Sequence, residues 1–296
     1  MANDLTRSVA GDCVDISAPG VLFELNSHSI IGPTGQPGIG LHVLSTAPNT
    51  TVFGGGLIEH FATGFQTDAA NTFAIEPEAV FNNRGVVFNG PGALGLVPIA
   101  ELNLHNGIVV TPAADGSFLI EPVGESNNGN GIVLNGTTGV MLWDAVGIAN
   151  VGYGLWLKGA SFNLVNGGVL EQNTIAGAYL GCHAGGPSSS ACSIPPSNGN
   201  TLEGLDSNSV PLVVGSGCPT SPHPQPYGIV IDTGNAKNHI VVFETDTNSN
   251  CPTPGDTISD GFDNNGAACA GNVWFDNAYT KGPNHVANPS HPWCMD

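Results

Sequence analysis

Between Arg7 and Lys237 the chain carries two cations, Arg84 and Lys158, and each stands on the margin of a recurring glycine motif. Arg84 immediately precedes Gly85, His60 and His105 lie in the adjoining repeats, and Asp68 follows the motif at Gly64. A guanidinium that neutralises an acidic group or draws off a proton, with a histidine as general acid, is the chemistry these residues suit. Arg84, His60, His105 and Asp68 are therefore the candidate catalytic set. The bland alternative is an ion pair of Arg84 with Asp68 or Glu78 over a solvated turn. Trp156 and Tyr179, each two residues past a motif glycine, offer flat rings on which a pyranose stacks. Lys158, Tyr153, Asn106 and Asn130 flank the same glycines and complete a candidate substrate-binding set.

The elements that must carry these residues follow from the motif itself. A glycine, an apolar residue, any residue and a second apolar residue recur from Gly64, Gly85, Gly107, Gly131, Gly154 and Gly177, every 21 to 24 residues, and again from Gly228. Weaker copies begin at Gly20 and, as G-I-G-L, at Gly38. A repeat of this length, with two further short apolar runs such as F-A-I from Phe73 and F-L-I from Phe118, is one coil of about three strands. The expected fold is all-β, a parallel β-helix. Alternation along the strand sends the residues one and three past the glycine inward and the residue two past it outward. The outward column is Gln66, Val87, Val109, Val133, Trp156, Tyr179 and Val230, apolar along three successive coils. It reads as a stacking platform at its aromatic end, as a strip covered by the 182–226 insertion or by a second copy of the chain, or, with the register shifted by one, as core.

Composition narrows the partners. The formal charge is −19, from 5 Lys and Arg against 24 Asp and Glu, so there is no basic surface for nucleic acid or anionic lipid. A polyuronate is repelled unless Ca²⁺ bridges it, whereas neutral glycans escape that objection. No run of apolar residues is long enough to span a membrane. Seven cysteines, several in Pro/Gly/Ser-rich segments, suggest disulfides and an oxidising, extracytoplasmic compartment, with Cys13 the odd one. The first residues lack signal-peptide anatomy and read as a mature segment after removal of an export signal. We expect one domain over 1–296: N-terminal coils to 37, regular coils over 38–181, a loop-rich insertion over 182–226, C-terminal coils over 227–280 and a capping tail over 281–296.

Carboxylates form a second pattern. Glu76, Glu101, Glu121, Asp144, Glu203 and Glu244 recur at a corner, where stacked charges must face water, be staggered or share cations. The strongest Ca²⁺ candidate is the run from Asp256 to Asn265, with Asp256, Asp260 and Asp263 as ligands. Among nine histidines only His285 and His291 lie close in sequence, so no dedicated transition-metal site is expected.

The stretch V-L-F-E-L-N-S-H-S-I-I-G from Val21, with C-A-G-N-V-W-F-D-N from Cys269 and a later Cys294, resembles the opening and closing motifs of secreted bacterial right-handed parallel β-helix proteins of the pectate-lyase-like and NosD-like kind. The resemblance implies a right-handed coil and a Cys269–Cys294 disulfide. Ser27 stands where that opening motif has glycine, and Arg84 where related hydrolases have histidine. It also implies an exported protein that binds, and as a lyase or hydrolase cleaves, an extracellular polysaccharide along the glycine-strand face. The missing carboxylates on that face favour the alternative, a structural or adhesive solenoid whose apolar column joins protomers.

Overall fold

A computed structural model describes residues 3–33, 37–185, 193–207, 225, 227–242, 244–245, 259–265, 269–275, 277–279 and 286–287. The fold is a right-handed parallel β-solenoid. The motif glycines open an 11-stranded parallel sheet that climbs through Ile39–Val43, Thr63–Thr67, Arg84–Phe88, Ile108–Val110, Ile132–Asn135, Tyr153–Lys158 and Ala176–Leu180 to Tyr227–Ile231 and beyond. The other two strands of each coil, such as Phe73–Ile75 and Glu78–Val80, stack into a second, 18-stranded sheet. Two rows become one sheet because Met141–Ile148, Leu164–Val169 and Thr201–Asp206 run unbroken through the corner between them.

The core is a column of inward side chains. Val86 and Phe88, Ile108 and Val110, and Leu155 and Leu157 flank the outward residue of their strands, and all are fully buried. The alternation expected from the motif is therefore the one observed.

The glycines themselves are required by a feature that the composition did not suggest. Asn82, Asn103, Asn127, Asn150 and Asn173 stack inside the corner that precedes the glycine strand, all buried. Each Oδ1 accepts the backbone N–H of the residue one coil below: Asn127 N–H donates to Asn150 Oδ1 at 3.0 Å, and Asn150 N–H to Asn173 Oδ1 at 3.1 Å. A Cβ on Gly131 would lie 2.7 Å from the Asn150 amide nitrogen, and one on Gly154 2.6 Å from that of Asn173. The motif glycine is thus a close-approach residue that leaves room for the ladder, not a left-handed corner. A second ladder of Asn163, Asn200, Asn238 and Asn272 continues up the opposite corner.

The carboxylate column breaks up: Glu203 stands level with Asn166 and Glu244 with Asp206, away from the others. Glu76, Glu121 and Asp144 occupy a turn in left-handed conformation (φ 48°, 50° and 52°), while Glu101 lies on a strand opposite Glu125. Burial and the neighbouring Glu125 and Glu78 push the Glu101 pKa up.

The second strands present an apolar outer face. Phe53, Ile75, Leu96, Ile120 and Trp143 form one register column and Phe73, Leu94, Phe118 and Met141 another. Trp143 is 48% exposed and meets Phe118 edge-on at 5.5 Å.

Candidate active site on the glycine-strand face

Ile39 pairs with Thr63 and Leu41 with Phe65, so the glycine aligned with Gly64 is Gly40, not Gly38. The motif there reads G-L-H-V, and it places His42 in the outward column, between Asp15 on one neighbouring strand and Gln66 on the other. The column therefore begins polar: Asp15, His42, Gln66, and only then the valines.

His42 is 8% exposed and held on both sides. Its Nε2 lies 2.8 Å from Asp68 Oδ2, and its Nδ1 lies 3.3 Å from Asp12 Oδ2 and 3.8 Å from Asp15 Oδ1. Asp68 also accepts from Gln66 Nε2 at 2.8 Å and from Asn89 Nδ2 at 2.9 Å, and the Thr111 hydroxyl donates to Asn89 Oδ1. Burial raises the Asp68 pKa, but the bonds from Asn89, His42 and Gln66 outweigh it, and the carboxyl sits below its ordinary value. Asp12, Asp15 and His42 bring three ligand atoms within 4.8 Å of one another, a grouping able to coordinate a metal ion. The result is a polar, charge-bearing row across several coils that opens to solvent at Asp15, whose side chain is half exposed.

The expected catalytic set is scattered. Arg84 is exposed at the first position of its strand, opposite Thr63, whereas Asp68 lies beyond the last pair, Thr67 and Phe88. Five residues of strand separate the two levels, about 16 Å. The expected ion pair is absent: among the described residues neither Asp68 nor Glu78 pairs with Arg84, and Asp68 binds His42 instead. His60 stacks on Phe81 at 6.2 Å and lies 3.9 Å from Glu59, while His105 is exposed in the turn before Ile108.

At the other end of the face the aromatic residues are closed in. Tyr153 and Tyr179 stack on each other at 4.4 Å with rings 9° from parallel. Tyr179 is fully buried and Trp156 6% exposed. The Trp156 indole N–H donates to the Gly181 carbonyl at 2.7 Å and the Tyr153 hydroxyl to the His183 carbonyl at 2.6 Å. The chain leaving this strand thus folds back over the rings. Tyr179 also donates to Asp232 Oδ2 at 2.7 Å, which His183 Nδ1 meets at the same distance. Lys158 Nζ sits 4.9 Å over the Trp156 ring. Asn106 and Asn130 spend their Oδ1 atoms on the backbone N–H groups of Asn130 and Tyr153. Val87 is 6%, Val133 3% and Val230 0% exposed and Val109 is half-buried, so the valine column is largely covered within the single chain.

Of the expected Ca²⁺ ligands, Asp256 and the side chain of Asp260 lie outside the described residues. Asp263 points into the interior, where Asn265, Asn272 and Trp274 donate to it and burial raises its pKa, so it faces away from any loop site. Cys269 and Cys182 are disulfide-bonded, and Cys294, the partner expected for Cys269, lies outside the described residues. Cys13 is free.

No family model matches the chain, and no curated protein matches it. Among solved structures, the crystal structure of an alginate lyase from Paenibacillus sp. str. FPU-7 is similar, with a TM-score of 0.52 and 11% sequence identity over 88% of this chain and 98% of that one. At that identity the likeness is one of fold, and it agrees with the solenoid seen here. Among the described residues no helix is long and apolar enough to cross a membrane.

Proposed function

We propose that the protein is an exported, polysaccharide-acting enzyme whose reactive centre is His42 with Asp68, Asp12 and Asp15, at the polar end of the glycine-strand face. The observation that carries this reading is an imidazole set between carboxylates on the outer face of a solenoid, with a row of hydrogen-bonding side chains beside it. His42 exchanges a proton with the polymer in a lyase- or hydrolase-like cleavage, Asp68 orients the ring from behind, and Gln66, Asn89 and Thr111 meet sugar hydroxyls. The solenoid likeness to an alginate lyase supports a polymer substrate laid along the strands. Arg84 and His105, exposed at the other margin of the sheet, are then contacts for a bound chain rather than the reacting groups.

The test is product formation on a panel of neutral and acidic polysaccharides, followed as new reducing ends and as ultraviolet absorbance of unsaturated products. His42→Gln is expected to lower the rate by at least 100-fold, the usual worth of a positioned acid–base group. A His42→Gln enzyme as fast as wild type, or a panel on which wild type makes no product, ends the proposal.

The apolar outer face of the second strands favours one further reading, a structural or adhesive solenoid that pairs with a second copy of itself. Exposed Phe53, Met141 and Trp143 are the surface for it, in place of the covered valines. Light scattering decides: a dimer that Trp143→Glu converts to monomer supports assembly, and a wild-type monomer at high concentration removes it.

A further inference from the structure

Three potential ligand atoms, one each from Asp12, Asp15 and His42, face a common point at the start of the glycine sheet. The shortest of the three His42 contacts, 2.8 Å from Nε2 to Asp68, has the length of a charge-assisted hydrogen bond and suits a ring proton on Nε2. Nδ1 is then an acceptor, and it confronts two more acceptors, Asp12 Oδ2 at 3.3 Å and Asp15 Oδ1 at 3.8 Å. These separations are too long for charge-assisted hydrogen bonds. They are close to the edge of a coordination tetrahedron, about 3.3 Å for ligands 2.0–2.1 Å from the metal.

We propose that Asp12, Asp15 and His42 form a binding site for a divalent transition ion of the zinc or manganese class. One imidazole and two carboxylates suit such an ion, whereas Ca²⁺ asks for six to eight oxygens. Asp68 is the outer partner: a metal-bound histidine almost always donates its other N–H to a carboxylate, which fixes the ring and raises its basicity. Asp68 is held for that task by Gln66 and Asn89. Three protein ligands leave at least one position open toward solvent, on the side where Asp15 is exposed. His42 is far from the two carboxylates in the chain, and strand register brings them together: Asp15 pairs with His42, and Asp12 lies three residues before Asp15. No local sequence motif therefore marks the site.

An ion at this point takes the Nδ1 lone pair through which proton exchange would run. On the reading of His42 as the acid–base group, added zinc therefore slows cleavage; the binding itself does not rest on that reading. The experiment is titration calorimetry of the metal-stripped chain with Zn²⁺, Mn²⁺ and Ca²⁺, with no polysaccharide present, repeated on His42→Gln and Asp68→Asn, with circular dichroism to verify that each variant is folded. The expected result is one Zn²⁺ or Mn²⁺ per chain that is lost in His42→Gln, weakened 10- to 100-fold in Asp68→Asn, and not matched by Ca²⁺. Absence of transition-ion binding in the wild type, or binding unchanged in folded His42→Gln, overturns the proposal. Metal binding without cleavage of any polysaccharide leaves the site standing and removes only the enzymatic reading, while cleavage without metal binding does the reverse.

Discussion

Asp232 shows how one side chain ties the aromatic end of the face together. Burial raises its pKa, but donors on Tyr179, Asn264, His183 and Thr233 outweigh this and hold it below the usual carboxylate value. The same arrangement pushes the Tyr179 hydroxyl well above its normal range, through burial first and then the bond to Asp232. A carboxylate whose pKa is depressed by folding contributes stability that is complete above its unfolded value, about 3.9, and is lost as the pH falls through the folded one. Thermal melts between pH 7 and pH 2 are expected to show a steep loss below about pH 4 that is shallower in Asp232→Asn. An identical slope in the variant would mean that other carboxylates dominate acid unfolding. His42 was missed in the sequence for a related reason. Gly38 and Gly40 both fit the motif, and only strand register shows that Gly40 is the one aligned with Gly64. The 24-residue interval from Gly40 to Gly64 matches the other repeats, and it is the one that sets His42 in the outward column.

At the level of the strand and its corner, the glycine motif and the asparagine ladder are one device. Each asparagine satisfies buried backbone N–H groups at a turn where no strand partner is in line, and each glycine leaves space for it. Asn150→Ala strips the acceptor from the backbone N–H of Asn127 and one of the two acceptors of its side-chain amide, which keeps the Ala100 carbonyl, and is expected to cost about 3 kcal/mol, since each unsatisfied buried donor costs about 1–3. Gly131→Ala, which drives a methyl against the same amide, is expected to cost a similar amount by overpacking, about 1–3 kcal/mol. Urea titration of the two variants and of the double variant checks the linkage: the pair should lose somewhat less than the sum, because the clash with the Asn150 amide goes while those with the Gly154 and Gly124 carbonyls, at 2.7 and 2.8 Å, stay. The strands and their inward faces were legible because a period of two leaves an unmistakable print on apolar residues. The ladder was not, because asparagine in a Gly-rich sequence is indistinguishable from ordinary turn chemistry until register lines the copies up.

Over the whole molecule, polar and apolar functions separate by face and by height. The glycine sheet carries carboxylates and His42 at its first coils and a closed aromatic cluster at its later ones, while the second strands carry the exposed apolar surface. The fold could be read from repeat length alone, but the site could not, since it joins residues from three coils, 12–15, 42 and 68, whose contact depends on stacking rather than on any local motif. Exposed Arg84, an attractive catalytic candidate on charge grounds, stands at the margin of the sheet opposite to Asp68.

Every coil bonds only to the coils above and below it, and those bonds point along the axis. Tension between the two ends would accordingly load the rungs in series, so that the force at which the molecule yields is set by its weakest rung and not by the sum of all of them. A solenoid anchored at both ends would peel open one turn at a time, absorbing work with each step, where a globular domain gives way at once.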